Sequence, residues 1–588
     1  MHEARLQALR AELSSQNLDG LLIPRADEHL GEYVAPAFER LAWLTGFTGS
    51  AGLAIVLAGV AAIFSDGRYQ EQLAVQVDGA LWERRHLLED PPARWLTTHA
   101  KAGASIGYDP MLFSEEALAP FAQAGFPLRP LPTNPIDRLW TDRPAPPAAP
   151  LLAQPLTFAG LASAEKRASL AAELRAAGQA AAVLADPASI AWLLNVRGGD
   201  VPYTPVALGF ALLHADASAD LVMAADKLSP AIRAWLGDDV RYHERAALPA
   251  LLASLVGRRV RVDAAGTPVW FAETLRQAGA TVVAAPDPCL LPKACKNAVE
   301  QEGARRAHLR CGVALCRFLA WLAEPARGPL TERAAAAQLT ALRAEAPEFR
   351  GESFATISAA GPNAALPHYH ASEESDRELG ADEVYLVDSG GQYADGTTDV
   401  TRTVWTGPGE PPAELRDRFT RVLEGNATLA RQVFPQGTNG AQLDALARAA
   451  LWQRRLDFDH GTGHGVGSYL SVHEGPARIS RTGGAVALAP GMILSDEPGY
   501  YVPGRYGIRL ENLLLVAPAG EGDGGRKFLG FEVLTLAPFD RRLIDPALLS
   551  PAARTWLDAY HARVAATVGP LLAPAERAWL ETACAPLP

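Results

Sequence analysis

A proline- and alanine-rich segment, residues 143–155, divides this chain and constrains its folding more than any other feature. Proline removes a backbone donor and favours extended backbone, so the segment is predicted to be a linker. A helix with leucines on one face, a short apolar strand and a Trp-Leu pair occur in that order on each side of it. The helix and strand cover residues 5–23 and 165–184, and the pairs begin at Trp43 and Trp192. This repeat predicts a duplicated α/β domain.

The pattern changes near Pro292, where a long amphipathic helix is predicted to begin. Its apolar positions follow the i, i+3, i+4, i+7 spacing of a buried helix face: Leu315, Phe318, Leu319 and Leu322. Helices at about 412–433 and 440–456 then alternate with strands, and the tail from Ser550 is helical. A chain of 588 residues is too long for one core. We predict an α+β protein with domains at 1–150, 151–297 and 298–588.

Composition limits the classes of function. The net charge of -12 and the pI near 5.6 argue against a nucleic-acid partner, which usually needs a basic face. The longest apolar run, residues 51–64, is 14 residues and too short to span a bilayer, and no signal peptide is visible. The expected location is the cytoplasm, without a membrane partner. Five cysteines without C-x-x-C spacing indicate free thiols: Cys289, Cys295, Cys311, Cys316 and Cys584.

Five side chains in the last third of the chain have the chemistry of a ligand set for two divalent metals. They are Asp388, Asp399, His464, Glu497 and Glu511. Four carboxylates balance the charge of two divalent cations, and burying them without cations would be prohibitively costly. Oxygen-rich ligation with one imidazole suits Mn²⁺, Co²⁺ or Fe²⁺, with Zn²⁺ possible. Such a pair of ions activates water and stabilises the tetrahedral intermediate of acyl transfer, so a dinuclear metallohydrolase is predicted.

The local context of each candidate ligand would hold its side chain still. Asp388 ends one β-rich run and Asp399 opens the next, so strand pairing would bring the two carboxylates together. His464 lies in a glycine-rich segment, residues 460–476, which permits close backbone approach. Pro498 keeps Glu497 extended. Residues 507–516 are predicted to form one strand, on which Glu511 would share a face with Arg509.

Each motif also has a simpler explanation when taken alone. A single aspartate is often a turn or strand-end residue, a single histidine is usually structural, and an Arg-x-Glu strand is compatible with a surface salt bridge. The metal-centre interpretation depends on all five positions occurring together.

These motifs, in this order, resemble the pita-bread metallopeptidase family M24, and most closely its three-domain Xaa-Pro aminopeptidases. The resemblance covers nearly the whole chain. It extends to residues 47–52, 65–69, 134–140 and 190–195 in the front domains and to residues 302–308 at the start of the catalytic domain. It implies a pita-bread catalytic domain behind two related α/β domains, and cleavage of short peptides before a penultimate proline. It also implies two metal ions, most often Mn²⁺, and a homodimer.

The resemblance further assigns roles to residues around the five candidate ligands. Asp388 and Asp399 would bind one metal, and His464 would complete the shell of the other. Asp399, Glu497 and Glu511 would be bridging or shared ligands, and Glu497 would also act as general base. Other roles concern the substrate and the surroundings of the ligands. His368 and His473 correspond to substrate-binding and proton-shuttling histidines, His460 and Tyr501 to residues near the proline pocket, and Arg509 to an arginine that orients a ligand.

Two other functions remain open at this point. A prolidase-type Xaa-Pro dipeptidase shares the catalytic fold, but two front domains in place of one argue against it. A non-catalytic peptide-binding protein on the same fold would typically lack metal ligands, whereas all five candidates are present here.

Overall fold

A computed structural model of the protein describes residues 1–324, 328–482, 484 and 486–588. The chain forms two compact units. The first contains residues 1–155 and 161–290, and the second contains residues 156–160 and 291–588. The predicted division of the front region near residue 150, and the boundary at 297, stay predictions.

The first 140 residues form a six-stranded sheet flanked by helices. Leu6, Leu9 and Leu13 are buried on one face of the first helix, as their spacing predicts. The helices are α1 His2–Ser15, α2 Arg40–Thr45, α3 Gln70–Gln76, α4 Pro92–His99, α5 Glu115–Gln123 and α6 Pro135–Leu139. The strands are β1 Gly20–Pro24, β2 Leu53–Leu57, β3 Ala61–Ser65, β4 Glu83–His86, β5 Ile106–Tyr108 and β6 Leu128–Pro130. Their order in the sheet is β4-β3-β2-β1-β5-β6.

The next 150 residues form a second six-stranded sheet. The helices are α7 Leu156–Ala159, α8 Ser163–Ala176, α9 Pro187–Leu194, α10 Pro230–Leu236, α11 Leu248–Ala253, α12 Val269–Gln277 and α13 Leu290–Ala294. The strands are β7 Leu152–Ala153, β8 Ala181–Leu184, β9 Val196–Arg197, β10 Phe210–His214, β11 Ala219–Val222, β12 Val240–His243, β13 Arg259–Val262 and β14 Thr281–Ala284. The sheet order is β12-β11-β10-β8-β13-β14, and β7 pairs with β9 outside it.

The two sheets have the same topology. The strand β1 lies between antiparallel β2 and parallel β5, and β8 lies in the same way between antiparallel β10 and parallel β13. The outer strands of both sheets also agree in direction. This agreement confirms the predicted duplication.

The second unit consists mainly of strands that carry the candidate ligands and helices that pack against them. Its helices are α14 Ala298–Leu322, α15 Glu332–Ala344, α16 Ala413–Ala430, α17 Gly440–Trp452, α18 Pro551–Val568 and α19 Pro574–Ala583. Its first strands are β15 Phe349–Glu352, β16 Ile357–Ala360, β17 Glu383–Ser389, β18 Gly391–Tyr393, β19 Gly396–Thr397, β20 Val400–Thr406 and β21 Val433–Pro435. The others are β22 Gly463–Gly465, β23 Glu474–Ile479, β24 Ile493–Asp496, β25 Gly499–Val502, β26 Tyr506–Arg509, β27 Asn512–Glu521 and β28 Lys527–Val533.

Two sheets of this unit position the site. One is β16-β17-β20, and the other is β21-β28-β27-β24-β22-β23. The helix α14 begins where the Asn297 side chain accepts hydrogen bonds from the backbone N–H groups of Val299 and Glu300. All four predicted apolar positions of α14 are buried, which confirms the predicted helix face. None of the described helices is long and apolar enough to cross a membrane.

Candidate metal centre

Asp388 and Asp399 are brought together by the pairing of β17 with β20. Asp388 is the penultimate residue of β17 and lies opposite Thr401, and Asp399 immediately precedes β20. The predicted approach of these strand ends is therefore correct. The segment between them is more than a turn, because β18 and β19 form a hairpin within it and β18 also pairs with β15 in a separate sheet.

His464 faces two of the carboxylates from β22. Its Nε2 lies 3.5 Å from Asp399 Oδ2 and 3.5 Å from Glu497 Oε1. Glycines on both sides let β22 approach its neighbours: a Cβ at Gly463 would lie 1.9 Å from a backbone oxygen of β24, and one at Gly465 would lie 2.2 Å from one of β23. The glycine-rich sequence is therefore required for the position of His464.

Glu497 and Glu511 complete the acidic cluster from two further turns. Glu497 follows β24, and its backbone N–H donates to the Thr462 carbonyl at 2.8 Å. Glu511 precedes β27, and its Oε2 accepts a 2.7 Å hydrogen bond from the hydroxyl of Thr401. One potential ligand atom from each of Asp399, His464 and Glu511 lies within 4.8 Å of the other two. Side chains from four separated segments therefore converge at one point.

The prediction of one strand over residues 507–516 is wrong in detail. The backbone leaves the ladder at Leu510 and Glu511, so that β26 pairs with β25 while β27 joins the large sheet. Glu511 and Arg509 therefore do not form neighbouring positions of a single strand. Arg509 bonds Asp388, and Glu511 bonds Thr401.

Arg509 links the acidic cluster to Tyr501 and His460. Its Nη2 donates to Asp388 Oδ2 at 2.6 Å and its Nη1 donates to the Tyr501 hydroxyl at 2.8 Å. The Tyr501 oxygen lies 2.8 Å from His460 Nε2. Because the guanidinium is buried and forms several directed bonds, it holds Asp388 and Tyr501 in fixed positions.

The two remaining histidines occupy different segments. The His473 ring packs edge-on against the His464 ring, with the centroids 4.4 Å apart. His368 is half-buried in the turn that follows the 3₁₀ helix Gly361–Ala365. A Cβ at Gly507 would lie 1.7 Å from the Ala364 carbonyl oxygen, so the 3₁₀ helix before this turn packs closely against β26. The assigned roles of His368 and His473 stay predictions.

The carboxylates are held in an environment that disfavours their charge. Burial raises the pKa of Asp388 to about 6, against the opposing effect of Arg509. Burial and neighbouring carboxylates also raise the pKa of Glu497 and, by more, that of Glu511. Burial opposes a charged His464, but the Asp399 and Glu497 carboxylates outweigh it and raise its pKa to about 9.

Two oxygens of the cluster show what it is suited to bind. Asp388 Oδ1 and Asp399 Oδ1 are buried and have no hydrogen-bond donor among the described residues. Buried carboxylate oxygens are normally bonded to donors or to cations. The residues present therefore fit divalent cations, which would satisfy these oxygens and return the carboxylates to their ionised form.

Two hydroxyls contribute to the cluster beyond the predicted residues. The Ser495 Oγ accepts from the His464 backbone N–H at 2.9 Å and donates to Glu497 Oε1 at 3.1 Å. The Thr401 hydroxyl bonds Glu511 in the same way. The two-residue period of a strand puts Thr401 on the same face as Asp399, and this spacing was the sequence signal for a role of Thr401. No local pattern in the sequence indicated a role for Ser495.

Comparison with known proteins gives the family. The sequence profile of metallopeptidase family M24 matches residues 302–518, and that of its C-terminal region matches residues 527–587. Creatinase/prolidase N-terminal domain profiles match residues 5–124 and 142–300. The probable Xaa-Pro aminopeptidase P of Talaromyces marneffei is 38% identical over 588 residues, covering 95% of this chain and 88% of the relative. The chain belongs to metallopeptidase family M24. The family and the pita-bread fold predicted from the sequence are thereby confirmed.

Solved structures of M24 proteins agree with this assignment. The X-prolyl aminopeptidase of Caenorhabditis elegans, described as a cytosolic enzyme with a di-nuclear active site, has a TM-score of 0.94 at 34% identity and covers all of both chains. The prolidase of Pyrococcus horikoshii has a TM-score of 0.50 at 24% identity, and the match covers 65% of this chain and all of the prolidase chain. The prolidase comparison shows the fold alone.

Proposed function

We propose that this M24 protein is an Xaa-Pro aminopeptidase, which releases the N-terminal residue from peptides with proline in second position. The observation that carries the proposal is the match along the full length to the Caenorhabditis elegans X-prolyl aminopeptidase. The match to the probable Xaa-Pro aminopeptidase P of Talaromyces marneffei over 95% of this chain also favours the aminopeptidase over the dipeptidase.

Two divalent cations are proposed to be held by Asp388, Asp399, His464, Glu497 and Glu511. When bound, they would polarise the scissile carbonyl as Lewis acids and lower the pKa of water, so that hydroxide is available as the nucleophile at neutral pH. Mn²⁺ is the cation that the oxygen-rich ligand set suits best, with Co²⁺, Fe²⁺ and Zn²⁺ as alternatives. The relative from Caenorhabditis elegans, with its di-nuclear site, supports the number of ions.

The chain's own groups are proposed to move the protons. Glu497, oriented by the Ser495 hydroxyl, accepts the proton of the attacking water. The proline nitrogen must gain a proton before it leaves, and His368 and His473 are the proposed carriers of that proton. The packing of the His473 ring against the His464 ring supports a location of His473 beside the candidate ligands.

Substrate recognition is proposed to depend on the shape of the proline ring. A peptide bond to proline lacks the N–H that many peptidases require, so the ring must be bound by packing. His460 and Tyr501, joined by a 2.8 Å contact, are the proposed walls of that pocket, and Arg509 holds Tyr501 in place.

One comparison of substrates tests the proposal. An Xaa-Pro-Xaa tripeptide should be cleaved before proline, and the protein should retain two divalent ions per chain by elemental analysis. Exclusive cleavage of the Xaa-Pro dipeptide would instead establish the prolidase activity. Asp388→Ala should abolish cleavage of the tripeptide, and full activity in that variant would contradict the metal assignment.

The assembly and location of the protein are also proposals. We expect a homodimer in the cytoplasm, acting on short peptides, with domains at 1–150, 151–297 and 298–588. The cytosolic description of the Caenorhabditis elegans relative supports the compartment. Sedimentation equilibrium measures the oligomeric state, and a monomer at all concentrations would contradict the homodimer.

A further inference from the structure

A small cavity lies beside Asp399, between α14 and the segment that enters β20. Its volume is about 10 Å³, taken as the space open to the centre of a water-sized sphere. Because this space is open to the centre of the sphere, the cavity is large enough for one water molecule, which itself fills roughly 10–15 Å³. Four of the residues around it have polar side chains: His308, Thr398, Asp399 and Thr535.

Two of the lining side chains carry a buried atom without a partner. His308 Nε2 and Asp399 Oδ1 have no hydrogen-bond partner among the described residues. Both side chains are almost fully buried, with 3% and 4% of their residues' surfaces exposed. Buried polar atoms are normally satisfied by protein or by ordered water, so a shared partner is expected in the cavity. A carboxylate oxygen has two lone pairs, so Asp399 Oδ1 can accept from this partner and still bind a cation.

The protonation of His308 identifies that partner. His308 Nδ1 lies 2.7 Å from the Ala304 carbonyl oxygen, which only accepts, so Nδ1 carries the hydrogen. Burial lowers the pKa of His308 to about 4, and the ring is neutral at pH 7. Nε2 is therefore an acceptor, as is Asp399 Oδ1. Two acceptors cannot bond each other, whereas one water molecule can donate to both.

The packing of α14 fixes His308 beside Asp399. A Cβ at Gly303 would lie 2.3 Å from the Asp395 carbonyl oxygen, and one at Gly312 would lie 2.6 Å from that of Leu536. These glycines flank His308 along the helix and let its backbone approach both segments closely. The Thr535 hydroxyl, which accepts from the Leu513 N–H at 2.8 Å, can donate its own proton to the cavity.

We infer that one buried water connects His308 Nε2 to Asp399 Oδ1, and that His308 is a positioning residue for this carboxylate. The inference rests on the proposed function insofar as Asp399 is taken as a metal ligand. Removing a group that hydrogen-bonds to a metal ligand typically weakens metal binding by about 10- to 100-fold. His308 would act through the water and would not touch the substrate.

The test uses two variants of the full chain and Mn²⁺ as the probe. His308→Phe retains a ring but presents no acceptor, and we expect its Mn²⁺ affinity, measured by competition with a chelator, to fall by about 10- to 100-fold. His308→Gln retains an acceptor and should bind Mn²⁺ nearly as the parent does. His561→Phe is the matched control, because His561 is another buried histidine whose Nε2 accepts from the Phe539 backbone N–H at 3.1 Å. It should lower the melting temperature without changing Mn²⁺ affinity.

The water itself is tested by a high-resolution crystal structure of the metal-free parent protein. Density within hydrogen-bonding distance of His308 Nε2 and Asp399 Oδ1 is expected, and an empty cavity would overturn the inference even if a variant failed to fold. Unchanged Mn²⁺ affinity in His308→Phe would overturn the positioning role. Neither measurement uses a peptide. Failure to cleave Xaa-Pro substrates would therefore contradict the proposed function and leave the His308 inference in place.

Discussion

Thr401 connects two groups of the site through one hydroxyl. Its Oγ1 donates to Glu511 Oε2 at 2.7 Å and accepts from Arg509 Nε at 3.2 Å. Arg509 in turn bonds Asp388 at 2.6 Å. A single side chain of β20 therefore orients one candidate ligand directly and a second through the guanidinium. Such groups govern metal affinity although they do not bind the metal.

Replacing Thr401 by valine tests this connection. Thr401→Val keeps the shape of the side chain but removes the donor to Glu511, so Mn²⁺ affinity should fall by about 10- to 100-fold. Competition with a chelator measures the affinity. Thr406→Val is the control, because that hydroxyl, on the same strand, donates to the Gly380 and Glu383 carbonyls and, among the described residues, to no candidate ligand. Equal affinity in both variants would contradict the role of Thr401.

Replacing Arg509 tests the buried ion pair. Arg509→Met leaves the Asp388 carboxylate without its cation at pH 7.5, above the Asp388 pKa of about 6, and we expect a loss of about 3–5 kcal/mol in the free energy of unfolding of the metal-free protein. Arg505→Met is the matched control, since Arg505 is exposed and pairs with Glu414 at 3.0 Å. The control should lose at most about 1 kcal/mol. Urea unfolding of the two variants measures both values. Similar losses would contradict a stabilising role for the buried ion pair between Arg509 and Asp388.

At the scale of elements, close backbone packing positions the ligand-bearing strands. The short strand β22 lies between β23 and β24, and it fits there because Gly463 and Gly465 have no side chains. The 3₁₀ helix Gly361–Ala365 approaches β26 at Gly507 for the same reason. Close backbone packing therefore holds the strands that carry His464 and Arg509, which is the support that a preorganised centre requires.

A methyl group on β22 should displace His464. Gly463→Ala puts a Cβ 1.9 Å from the Ser495 carbonyl oxygen, so β22 must shift, at an expected cost of about 1–3 kcal/mol in unfolding free energy. Cleavage of the tripeptide should fall with it. Gly569→Ala is the control, because Gly569 has a helical backbone and no atom within 4 Å of the added group. A Gly463→Ala variant with parental stability and activity would show that β22 does not need this contact.

At the scale of the whole molecule, bound cations should control stability. In the metal-free protein, burial keeps the Asp388 carboxyl protonated up to a pKa of about 6, whereas in the unfolded chain it ionises near pH 4. The stabilising effect of this proton is complete below about pH 4 and is lost as the pH rises through 6. Cation binding needs ionised ligands and becomes stronger over the same range.

The increase in melting temperature on adding Mn²⁺ should therefore be larger at pH 7.5 than at pH 5. Calorimetric scans with Mn²⁺ and with a chelator at the two pH values measure this increase. Asp388→Asn should show a smaller increase at both pH values, because a ligand is missing. An increase that is equal at pH 5 and pH 7.5 in the parent protein would contradict the proposed coupling.

The sequence alone was sufficient for the features that depend on local spacing. The apolar period of α14, the duplicated α/β sheets and the strand ends at Asp388 and Asp399 were all predicted correctly. The physical reason is that a buried face and a strand end are determined by a few neighbouring residues, through side-chain period and turn chemistry. The family resemblance rested on motifs of the same local kind.

Only the tertiary structure decided which distant groups meet. Thr401 and Glu511 are 110 residues apart, and their bond depends on how β20 packs beside the start of β27. Arg509 bonds Asp388, whereas the sequence predicted one strand on which Arg509 and Glu511 share a face. The approach of His308 to Asp399 likewise depends on the packing of α14. Such contacts come from long-range packing, for which a single sequence carries no local signal.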